Sequence, residues 1–63
     1  MDGTKRSDIK IGATVMVVQK PHQRTGMLTE GVVSRILTNS ARHPHGIKVM
    51  LSDGTVGRVK EIR

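Results

Sequence analysis

Residues 47–62, IKVMLSDGTVGRVKEI, constrain this chain more than any other stretch. Two runs of alternating apolar and polar residues flank Ser52-Asp53-Gly54, a turn signal that reads as a β-hairpin. Two registers are open. A two-residue turn at Asp53-Gly54 sets Leu51 beside Val56, Val49 beside Arg58 and Lys48 beside Val59, which mixes charge into both faces. A three-residue turn, with Gly54 left-handed in a G1 bulge, pairs Leu51 with Thr55, Val49 with Gly57 and Ile47 with Val59. One face then carries Ile47, Val49, Leu51, Gly57 and Val59. The other carries Lys48, Met50, Val56, Arg58 and Lys60. A slip of one residue exchanges the faces, so the register that separates apolar from basic is the expected one. The basic face is either solvated or a surface for a partner.

The rest of the core has few sources. The chain has 63 residues and neither cysteine nor any Phe, Tyr or Trp. No disulfide or zinc–thiolate site can staple it, and a single core of this size supplies about 3–5 kcal/mol net. Val and Ile, 13 residues between them, carry the apolar content, and both favour strands. The longest apolar run, residues 15–18, is far too short to span a membrane. No basic start followed by an apolar run and a small-residue cleavage site is present, so the expected location is the cytoplasm.

Taken in order, residues 1–8, MDGTKRSD, are polar without periodicity and read as a flexible basic N-terminal tail. In that tail, Lys5 and Arg6 add weak phosphate contacts at most. Residues 9–63 read as a single domain. A first strand is expected over residues 13–19, with Val15 and Val17 on one side and Met16 and Val18 on the other. Both sides are apolar, so it is expected to be covered on both or to lie at a barrel corner. Pro21 ends strand pairing and opens a long loop, KPHQRTGMLTE, whose Met27 and Leu28 are expected to fold back on the core. A second strand is expected over residues 31–38. Its alternation is impure on both faces, which predicts a bulge near Ser34. A second loop, NSARHPHG, leads into the hairpin. No segment shows capped 3.6-residue periodicity over ten or more residues. The expectation is an all-β, small SH3-like barrel of four to five strands without a long helix, because so few short strands must curl to protect their edges.

Two resemblances are present, and the first supports this. Gly12-x-x-Val15-x-Val17 and Gly31-x-Val33-x-x-Ile36 resemble the KOW motif of ribosomal and transcription-elongation proteins, an RNA-linked part of the SH3-like barrel superfamily, and the later Leu51-Ser52-Asp53-Gly54 also suits a barrel hairpin. Gln23-Arg24-Thr25-Gly26, Leu28-Thr29-Glu30-Gly31, Ile36-Leu37-Thr38, His43-Pro44-x-Gly46-Ile47-Lys48-Val49 and Gly57-Arg58-Val59 extend over nearly the whole chain. Together they resemble the YwbE-like family of small bacterial proteins, a domain of unknown function. The second resemblance implies a cytoplasmic bacterial protein and no particular activity.

Eleven Lys/Arg against five Asp/Glu leave a net charge of +6, which favours a polyanionic partner. The two loops hold the distinctive chemistry: Lys20, His22, Gln23, Arg24 and Thr25 in the first, Arg42, His43 and His45 in the second. Such loops can lie at one end of a barrel. Arg and Lys neutralise phosphates, while Gln23, Thr25 and the histidines can bond sugar or base edges. The nucleic-acid-binding set is therefore Lys20, Gln23, Arg24, Thr25, Arg42, His43, His45, Lys48, Arg58 and Lys60. Lacking aromatics, the chain has no stacking platform for single-stranded bases and no cage for methylated lysine. Binding to RNA or a ribonucleoprotein has to be directed at the backbone or at duplex shape. The alternative partner is an acidic protein surface, the chain acting as a monomeric adapter.

His22 with His43-Pro44-His45 has no specific metal-ligand spacing and no carboxylate or thiolate beside it, so no metal or cofactor is expected. Of the carboxylates, Asp53 belongs to the turn and Asp2 to the tail. No phosphate-cradling glycine loop, nucleophile elbow or acid pair is present, so no catalytic residues are assigned.

Overall fold

The computed structural model describes residues 3–19 and 26–63. The Val/Ile-rich segments form four strands: β1 Thr14–Val18, β2 Leu28–Ile36, β3 Lys48–Leu51 and β4 Val56–Ile62. Each is antiparallel to the next, and β4 returns to pair with β1, closing the barrel. The only helical element among the described residues is a 3-10 turn, Arg6–Asp8. The small all-β barrel expected from the sequence is realised with four strands.

The hairpin takes the three-residue-turn register. Val49 faces Gly57 and Lys48 faces Arg58. The Leu51 amide donates to the Thr55 carbonyl at 2.7 Å, and the Val59 amide donates to that of Ile47 at 2.9 Å. Gly54 sits at φ +91°, in the left-handed region that L side chains avoid. Asp53 completes the turn by accepting a hydrogen bond from the Thr55 amide on its Oδ1 at 2.9 Å. The face separation follows: Ile47, Val49, Leu51 and Val59 are buried, while Lys48 and Lys60 are exposed.

Val15 and Val17 of β1 and Val33 of β2 join those four, and Ile9 completes the cluster from outside the strands. The bulge expected near Ser34 is present, since the β2–β3 register shifts between Val33 and Arg35. It lets Val33 and Ile36 share the core side although they stand three positions apart, an odd spacing that regular alternation would split between the faces. The Ser34 hydroxyl lies over the bulge, 3.1 Å from the Met50 carbonyl and 3.2 Å from that of Leu51. Gly57, facing β1, has no room for a Cβ, which would stand 2.9 Å from Val17 Cγ2 and 2.8 Å from the Val18 carbonyl oxygen.

Three expectations are corrected. β2 begins at Leu28 rather than at residue 31, because Leu28, Thr29 and Glu30 pair with Val18, Val17 and Met16. For the same reason Met27 and Leu28 do not fold onto the core. Thr29 and Gly31 oppose the inward Val17 and Val15, so the alternation turns Leu28 outward, and Met27 is 57% exposed. Finally, the segment read as a tail through Asp8 is part of the fold from Gly3 onward. The Ile47 amide donates to the Gly3 carbonyl, the His43 amide to that of Thr4, and the Arg6 amide to that of Ala41, each at 2.9 Å. Ile9, 3% exposed, anchors the segment in the core. Buried backbone donors of the second loop need acceptors, and this segment supplies them.

Candidate nucleic-acid interface

The outward face of the β3–β4 hairpin builds the site. Lys48 and Arg58 are direct cross-strand partners, and Lys60 follows Arg58 on the same face at the two-residue period of a strand. Two of these cations hold the second loop. Arg58 Nη1 donates to the Gly46 carbonyl at 3.1 Å, and Lys60 Nζ donates to the His45 carbonyl at 2.8 Å. Residues 45–46 can approach β4 this closely because Gly46 lacks a side chain. At φ +101° its backbone is left-handed, and a Cβ there would run into the Val59 carbonyl oxygen. Arg58 and Lys60 each keep further N–H donors for a ligand.

His43 and His45 stand together, ring centroids 5.8 Å apart and planes tilted by 49°. The His45 amide donates to His43 Nδ1 at 3.2 Å, which requires that nitrogen to be unprotonated. Partial desolvation, then the positive charges of Arg58 and His45 nearby, lower the His43 pKa from its ordinary 6.5.

These elements surround a cavity of about 610 Å³ lined by Val18, Gly26, Leu28, His45, Arg58 and Lys60. Val18 faces out of the core beside Arg58 and is nevertheless 4% exposed. The lining thus combines an aliphatic floor of Val18 and Leu28 with two cations and an imidazole, and none of the described lining residues is a carboxylate. Such a surface suits an anion that carries an apolar or planar group alongside its charge.

Of the residues singled out from the sequence, His45, Arg58 and Lys60 line this cavity, with Lys48 beside Arg58 and His43 beside His45. Arg42 lies elsewhere, in a bridge opposite Lys5. Lys20, Gln23, Arg24 and Thr25 fall outside the described residues. Sequence reasoning missed Val18, Gly26 and Leu28 as lining residues. The outward side of β1 was the available signal, since an apolar residue in that position asks what covers it. Among the described residues, no group of three or more His, Asp or Glu could hold a metal ion. No helix among them is long and apolar enough to cross a membrane.

Comparison with known proteins extends these observations. A family described as an uncharacterized conserved protein, DUF2196, matches residues 2–62. The chain is similar to the uncharacterized protein YwbE of Bacillus subtilis (strain 168), with 52% identity over 62 residues, covering 98% of this chain and 95% of that protein. No solved structure matches it. With a family match over nearly every residue and a relative of this identity along the same span, the chain belongs to the DUF2196, YwbE-like family of small uncharacterised proteins.

Proposed function

We propose that the protein is a small cytoplasmic binding module, not an enzyme, whose hairpin face and second loop engage RNA through its phosphates. The observation that carries this reading is the convergence of Arg58, Lys60 and His45 on one cavity, with Lys48 beside them and no carboxylate among the described lining residues. A net charge of +6 adds a long-range attraction for polyanions. Without aromatic side chains the affinity derives mainly from counterion release. Binding is therefore micromolar or weaker at physiological salt and nearly independent of sequence. With about four phosphates engaged, log K against log salt has a slope of roughly −3 to −4.

The test is a fluorescence-anisotropy titration of single- and double-stranded RNA at several salt concentrations, with folding of the protein verified by circular dichroism. A steep salt dependence is expected. Absence of binding at low salt ends this reading, and a discrete protein recovered in its place would favour an adapter that docks on an acidic protein surface.

A further inference from the structure

Two like-charged pairs oppose one another across antiparallel backbone. Lys48 faces Arg58 on β3 and β4. Lys5 faces Arg42 in an isolated bridge between the N-terminal segment and the second loop. Their hydrogen-bond settings match. Around Lys5 and Arg42 the bonds run from the Arg6 amide to the Ala41 carbonyl and from the His43 amide to that of Thr4. The two cations are therefore a non-hydrogen-bonded pair. In the hairpin, the bonds that join Val59 to Ile47 and Leu51 to Thr55 leave Lys48 and Arg58 in the same alternating class. This is the class in which opposed side chains come closest, and like charges placed there repel.

Among the described residues no ion pair offsets that repulsion. Lys5, Arg42 and Lys48 are exposed. Among the described residues the side-chain ion pair is Arg63 with Glu30, at the opposite end of β4 from Arg58. Nor does the backbone bridge need these residues, since its bonds form between main-chain groups. The two pairs are also linked. Arg6 Nε donates to the Thr38 carbonyl at 3.0 Å, and the Lys48 amide donates to the Thr38 hydroxyl at 2.8 Å. Arg6, next to Lys5, and Lys48, opposite Arg58, are thus seated on one residue.

We infer that Lys5, Arg6 and Arg42 form a second phosphate-binding site, continuous through Thr38 with the Lys48–Arg58 pair, so that one RNA strand runs its backbone over both. A phosphate between two opposed cations turns their mutual repulsion into a shared attraction. This inference deepens the RNA reading and rests on it. It departs from the expectation that Lys5 and Arg6 matter little.

The test compares Lys5→Ala with Lys10→Ala, which removes the same charge five residues along the same segment, and adds Lys5→Ala/Arg42→Ala. Each is titrated with a short fluorescent oligouridylate at several salt concentrations. Lys5→Ala is expected to flatten the slope by about one unit and the double variant by about two, while Lys10→Ala changes it little. A second readout is thermal melting at low salt with and without inorganic tripolyphosphate. The double variant is expected to melt higher than the wild type without the anion, because the repulsion is gone, and to gain less when it is added. Equal slopes for Lys5→Ala and Lys10→Ala, with the wild type binding, overturn the second site. If the wild type binds neither oligouridylate nor duplex RNA, the RNA reading falls. Tripolyphosphate stabilisation lost in the double variant would then still uphold an anion site at the pair, and unchanged stabilisation would remove that too.

Discussion

The guanidinium of Arg58 donates to the carbonyl of Gly46, 3.1 Å away and twelve residues earlier in the chain. One contact thereby ties the outer face of β4 to the second loop, and Lys60 repeats it on His45. The cations that line the cavity also hold its wall. Arg58→Ala and Lys60→Ala are each expected to flatten the salt dependence of RNA binding by about one unit of slope. The same anisotropy titrations measure this. Unaltered slopes in both variants would place the RNA contacts elsewhere.

Gly46 and Gly54 both have positive φ, yet they differ in surroundings. A Cβ at Gly54 meets nothing within 4 Å, whereas one at Gly46 collides with the Val59 backbone. Gly54→Val should cost roughly 1–2 kcal/mol, from backbone strain at the turn. Gly46→Ala adds a steric clash to that strain and should cost more, about 2–4 kcal/mol, close to the whole stability of so small a domain. Urea denaturation of the two variants gives the order. A Gly46 variant as stable as the Gly54 variant would contradict the close approach of residue 46 to β4.

Removal of residues 1–8 takes the acceptors away from the amides of Ile47 and His43. Ile47 is fully buried, so its amide would be left without a partner. The expected loss is about 1–3 kcal/mol. A truncated protein with an unchanged urea midpoint would show that the segment contributes nothing to stability.

His43 sets a pH dependence. Its pKa is lowered in the folded state, so the unfolded chain holds more protons between that value and the ordinary 6.5. Stability should be constant above about pH 6.5 and fall as the pH drops from there through the folded-state pKa. Protonation also removes the acceptor for the His45 amide. Melting curves across that range, compared with those of His43→Gln, isolate the effect. A variant with the same pH profile as the wild type would assign the dependence to another group.

Asp53 acts in the opposite range. Hydrogen bonds from Thr55, first that of its backbone amide, lower the Asp53 pKa from its ordinary value of 3.8. Its contribution is present above the unfolded value and is lost as pH falls through the lower folded value. Asp53→Ala should therefore flatten the acid limb of the stability curve, as followed by circular dichroism. An acid limb that matches the wild type would show that the Asx turn contributes nothing.

What the sequence by itself determined is local and periodic. Alternation around Ser52-Asp53-Gly54 selected the register, because only one pairing puts Ile47, Val49, Leu51 and Val59 on a common side. Impure alternation marked the bulge at Ser34, and the Val/Ile content with no helical periodicity specified an all-β barrel. It also identified the cations of the hairpin face, since the same register that buries the valines turns Lys48, Arg58 and Lys60 outward. Tertiary structure alone decided what meets across long separations. Lys5 opposite Arg42, Arg6 on Thr38, and Gly46 against Val59 have no periodicity to announce them. Each depends on where the closed barrel brings its loops and its N-terminal segment, and backbone groups that need partners can draw those from any part of the chain. The same reason turned Leu28 outward: its neighbours in sequence favoured burial, but pairing with β1 gave the inward places to Thr29 and Gly31.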